Sequence, residues 1–188
     1  MADYCYTKFT ITGEREKLNE LFNLCFSKGK LHDTYYFDFE KIIPSPKTKE
    51  DCHPRYYLKP GMHIQPEPHR PWFNWYLWNN IHWGTKWNST ETDYNFKNEK
   101  TFIIEITTAW QTPEPIIMKF CQISAKLHLN VKYRLTSDYD DKVINESSPF
   151  NDNFDDPNIY KDINIDDYID DEEENNNDDF EDIVKKNK

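Results

Sequence analysis

Apolar and polar positions alternate from residue 4 to residue 12, with Cys5, Thr7, Phe9 and Ile11 on one side and Tyr4, Tyr6, Lys8 and Thr10 on the other. That period of two predicts a strand buried on one face only. After Gly13 the period lengthens. Leu18, Leu21, Phe22, Cys25 and Phe26 make the stripe of an amphipathic helix, with Glu14 and Glu16 near its positive end and Gly29 as its stop. A second strand is predicted from Tyr35 to Ile43, closed by Pro44-Ser45-Pro46, because proline supplies no ladder donor and drives its predecessor to extended geometry. Residues 44–70 hold six prolines and read as irregular, and a helix is expected from Pro71 to about His82, before Gly84. Thr101 to Thr108, β-branched and aromatic, is the strongest strand pattern in the chain. Thr112-Pro113 opens a helix striped by Ile116, Ile117, Phe120, Ile123 and Leu127, and His128 to Leu135 alternates again.

This order of elements predicts an α+β fold of the ferredoxin-like, split βαβ kind: a four-stranded antiparallel sheet with two helices on one face, and a helix-containing insertion (44–100) between strands 2 and 3. The folded domain is expected over residues 1–136. Charge then changes the picture. The net of −11 is unevenly placed, because residues 1–137 carry 18 Lys and Arg against 15 Asp and Glu, whereas residues 138–188 carry 5 against 19. The segment 137–188 therefore reads as an acidic, low-complexity tail, expected to stay disordered because it has too little apolar surface to offset its ordering entropy. No run approaches the roughly 18 apolar residues a membrane span needs, and no basic stretch leads into an apolar one near residue 1, so a cytoplasmic protein without membrane partners is expected. Cys5, Cys25, Cys52 and Cys121 form no C-x-x-C pair and read as reduced thiols.

The densest chemical signal is aromatic. Five of the six tryptophans lie between residues 72 and 87, in Trp75-Tyr76-Leu77-Trp78 and Trp83-Gly84-Thr85-Lys86-Trp87-Asn88, and Trp110 follows later. Such a cluster either fills a small core or lines a recognition surface. The candidate contact surface comprises Trp75, Trp78, Trp83, Lys86, Trp87 and Trp110. Three strings resemble the successive motifs of the YubB-like ferredoxin-fold family: Asp38-Phe39-Glu40-Lys41-Ile42-Ile43-Pro44-Ser45-Pro46, the W-Y-x-W helix running into W-G-T-K-W-N, and the T-A-W-x-x-P-x-P step before the last helix. The resemblance covers roughly residues 3–136. It implies a protein of a phage, prophage or conjugative plasmid, acting in a bacterial host, with no cofactor, no iron–sulfur cluster and no catalytic residues to transfer. Family members commonly continue past the last strand with a glycine-rich segment, which this chain replaces with acid.

Other chemistries are weaker in the sequence. Cys52, His53, His63 and His69 lack the spacing of a zinc site, so no metal is expected. Asp38 and Glu40 on one strand, with Glu105 on another, are the carboxylates an enzyme would use, yet they fit solvated edge residues as well, and a non-enzymatic protein is expected. A single-stranded nucleic-acid binder is the alternative: Tyr4 and Tyr6 would stack bases on the open sheet face, with Lys8, Lys132 and Arg134 beside them. The acidic tail as a mimic of nucleic acid is a further one. The leading reading is a protein-binding or regulatory module whose partner is an unidentified host or phage protein.

Overall fold

A computed structural model describes residues 3–29 and 34–137, together with the backbone of one strand at 144–147. The alternating segment forms β1 (Tyr4–Thr12) and the stripe that follows forms α1 (Arg15–Cys25). Phe26 leaves the helix to start β2 (Phe26–Lys28), which pairs with β3 (Tyr35–Phe37) in a two-stranded sheet of its own. Then come α2 (Phe39–Ile42), a 3-10 turn (Pro54–Tyr56), α3 (Trp75–His82), β4 (Glu91–Asn98), β5 (Thr101–Ala109), α4 (Glu114–Lys126), β6 (Asn130–Ser137) and β7 (Ile144–Ser147).

The main sheet runs β4-β5-β1-β6-β7, with every neighbouring pair antiparallel. Its first four strands are the split βαβ sandwich that the sequence predicts. β1 and β4 lie parallel with β5 between them, β5 and β6 lie parallel with β1 between them, and α1 and α4 are the two connecting helices. Phe9, Ile11, Phe102, Ile104 and Ile106 turn to the helices and are essentially inaccessible, as are Leu18 and Leu21 from α1 and Ile116 and Phe120 from α4. Phe9 is the centre of this layer, with its ring 4.7 Å from that of Phe120 and 5.9 Å from that of Phe37. Each such side chain contributes about 1.5–3 kcal/mol of burial.

Three elements differ from the sequence reading. The strand expected from Tyr35 to Ile43 stops at Phe37 and never joins the main sheet. Asp38 accepts a hydrogen bond from the backbone N–H of Glu40 and so caps one turn of helix, which buries Phe39 and Ile42 three residues apart instead of on alternate sides. The insertion, with its helix, does separate that strand from β5, but its last stretch is β4, the edge of the main sheet. The helix expected from Pro71 begins at Trp75, where the Asn74 side chain accepts from the Leu77 N–H. The sheet also continues beyond residue 136, since β7 pairs with β6 from within the acidic segment. The rest of that segment, and the disorder expected of it, lie outside the described residues. Among the described residues no helix is long and apolar enough to cross a membrane.

Candidate functional site

The three strings singled out in the sequence meet in one interlocked hub. Asp38 is buried and accepts from Ser27 Oγ at 2.6 Å, Asn88 Nδ2 at 2.8 Å and its own cap N–H at 3.0 Å. Asn88 turns its carbonyl oxygen to the Phe39 N–H at 3.0 Å, and Ser89 donates to the Phe37 carbonyl at 2.7 Å, so the first motif is stitched to the end of the second. Thr85, fully buried, donates to the carbonyl of Ala109, the residue before Trp110, which ties the second motif to the third. Gly84 sits at φ +74°, and a Cβ there would stand 2.8 Å from Pro115 Cδ and 3.2 Å from the Thr112 carbonyl oxygen. Only glycine fits that approach.

Glu40 belongs to the same scaffold. It accepts from the Ser45 N–H at 3.0 Å, from the Ser45 hydroxyl and from Lys47 at 2.8 Å, while Arg70 donates to Ser45 Oγ at 2.7 Å. Burial pushes its carboxyl up, but the bonds from Lys47 and Ser45 outweigh this and hold it below the ordinary glutamate value. Asp38 and Glu40 thus do not share a strand, and both carboxylates are engaged by the fold. Glu105 is on the open face of the sheet, in an ion pair with Lys8.

The hub divides the candidate tryptophans. Trp78 and Trp83 are 4% and 5% exposed and belong to the core, which removes them from the contact surface proposed for them. Trp83 packs edge-on against Phe39 and Trp78, and its indole N–H donates to the Ile43 carbonyl at 2.9 Å. Trp78 stacks on His82 with ring centroids 4.5 Å apart, and His82 bonds through Nε2 to the Tyr56 hydroxyl. Burial, with a smaller push from the Arg55 charge, lowers the His82 pKa to about 4. Trp87 and Trp110, by contrast, are 43% and 55% exposed. Trp110 holds φ at +76°, a left-handed conformation that is strained for a bulky side chain, while its N–H donates to the Asp3 carbonyl. Lys86 lies 4.8 Å from the centre of the Trp87 ring and 5.3 Å from that of Tyr76, which touches the half-buried Trp75. Trp75, Tyr76, Lys86 and Trp87 form one continuous aromatic strip around a cation. Tyr76 is the member that sequence reasoning left out, although its place inside W-Y-x-W was a usable signal.

No family model matches this chain, and neither a curated protein nor a solved structure matches it. Its chemistry is therefore read from its own surfaces.

The open face of the sheet carries the residues of the nucleic-acid alternative. Tyr4 and Tyr6 are 38% and 41% exposed, and Lys8, Lys132 and Arg134 share their side. That face is not uniformly basic. Glu91 and Asp93 of β4 and Glu105 of β5 stand on it too, and Lys8 is held by Glu105 at 2.5 Å. A shallow concavity of about 560 Å³ lies among these charges and Tyr6. Elsewhere, the His53 ring accepts from the Arg55 N–H, Cys52 is buried, and His63 and His69 are exposed on their loop. Among the described residues no group of three or more potential ligands could hold a metal ion. Burial pushes the Cys25 and Cys121 thiols up to about 12, so both stay protonated at neutral pH.

Proposed function

We propose that this chain is a non-enzymatic binding module that docks a partner protein through the aromatic strip of Trp75, Tyr76, Lys86 and Trp87 and through the exposed Trp110. The observation that carries the reading is the exposure of Trp87 and Trp110 on two segments clamped together by the Thr85–Ala109 hydrogen bond. An exposed indole on a strained backbone contributes little to folding, whereas large, rigid aromatic side chains are the usual anchors of a protein interface. A cation seated between two rings suits a partner that presents an apolar side chain next to a carboxylate.

The wider setting, a cytoplasmic protein of a phage or plasmid in a bacterial host, rests on the resemblance to the YubB-like family. Affinity capture with the full chain and with a W87A/W110A variant tests the proposal. A partner lost by the variant, with its unfolding midpoint unchanged, supports it. Identical partners for both forms would sink it.

A further inference from the structure

The open face of the main sheet carries charges of both signs, and its strands sort them by side. The register aligns four charges in one row across the sheet: Asp93 opposite Glu105, Glu105 opposite Lys8, and Lys8 opposite Arg134. On this face the next row on one side ends on Lys132, and the next row on the other side begins with Glu91. One half of the face, from β4 and β5, is therefore acidic, and the other half, from β1 and β6, is basic. Glu91, Asp93, Lys132 and Arg134 are all exposed.

A surface divided in this way is self-complementary under one particular symmetry. Rotation by half a turn about an axis parallel to the strands, between β5 and β1, turns a second copy face down and exchanges its halves. Its basic half then covers the first copy's acidic half. Rotation about the perpendicular in-plane axis would set acid on acid. We infer that two copies of this chain associate face to face through this sheet, about a two-fold axis parallel to its strands. Asp93 then meets the partner copy's Arg134 and Glu105 its Lys8, each twice, as an isologous interface requires. Four strands of this length offer a face of roughly 20 by 28 Å, or about 1,100 Å² buried over the pair. That is just above the roughly 1,000 Å² a specific interface needs, so the dimer is weak and forms in the micromolar range or above.

The test uses the full chain and exchanges charge without touching the core. The E91K/D93K variant leaves Glu105 as the one carboxylate in the charged rows of the face, and the K132E/R134E variant leaves Lys8 as the one cation there. The four-fold swap carries the wild-type net charge with the charges of the two outer strands β4 and β6 exchanged, and Glu105 and Lys8 kept. Sedimentation velocity should show the wild type rising toward twice the monomer mass by about 200 µM. Each two-residue variant should stay monomeric, with at least about tenfold weaker association. Mixing those two variants should restore the dimer, as should the swap. The inference is overturned by a wild type that stays monomeric, by association that survives in either two-residue variant, or by a mixture that fails to associate. A monomeric wild type that instead binds oligothymidine of about 20 nucleotides through Tyr4 and Tyr6 would assign the face to nucleic acid.

Discussion

Trp83 and Trp87 are four residues apart and chemically identical, yet one is sealed between Phe39 and Trp78 and the other stands in solvent beside Lys86. Gly84 makes the difference. Its left-handed turn, pressed against Pro115 and Thr112, lets the chain leave the core directly after Trp83 and brings Thr85 to the Ala109 carbonyl. Aromatic density in a sequence therefore does not distinguish packing from recognition. The backbone between two tryptophans does.

The sharpest way to break this contrast is to truncate both kinds of tryptophan. Trp83→Ala should cost about 3–5 kcal/mol in urea unfolding, because it leaves a cavity and an unpaired Ile43 carbonyl. Asp38→Ala should cost about 2–4 kcal/mol by the same measurement, since it strands the donors of Ser27 and Asn88 and removes the cap of α2. Acid should attack the core side selectively through His82. With its folded pKa lowered to about 4 from 6.5, the native state binds fewer protons than the unfolded chain. Stability is therefore full above about pH 6.5 and falls as pH drops toward 4, by about 2 kcal/mol at pH 5. His82→Gln should flatten that slope in a pH series of melts. The smallest effect belongs to the exposed pair: Trp87→Ala should stay within about 0.5 kcal/mol of the wild type. Trp110→Gly should be neutral or stabilising by up to about 1 kcal/mol, because glycine accepts its positive φ. A loss of more than 2 kcal/mol at Trp110 would place it in the core of the fold and undo the contrast.

Long periodic segments made most of the fold legible. β1, α1, β5, α4 and β6 each have a buried stripe that repeats for two turns or more of the pattern. β4 was missed although Thr92, Tyr94 and Phe96 alternate with Glu91, Asp93 and Asn95, because its inward residues are only partly buried and its charges resemble a loop. The break after Phe37 was hidden for another reason. Asp38 competes for the backbone by capping, a local hydrogen bond that hydrophobic periodicity does not register. The tryptophan-rich stretch stands out in the sequence, but periodicity does not sort its members into buried and exposed ones. Sorting it depends on the contacts of Gly84 and Thr85 with a segment about 25 residues further on.

Strand order also dictates when this chain can fold. β1 is made first, but its neighbours are β5 and β6, and its pair Lys8–Glu105 spans 97 residues. During synthesis the central strand waits, both edges unpaired, until the insertion and the second half of the sandwich have left the ribosome. Such distant pairing makes folding slow and leaves a sticky intermediate. Released chains truncated before residue 130 should depend on chaperones to stay dispersed, and those truncated after residue 137 much less so.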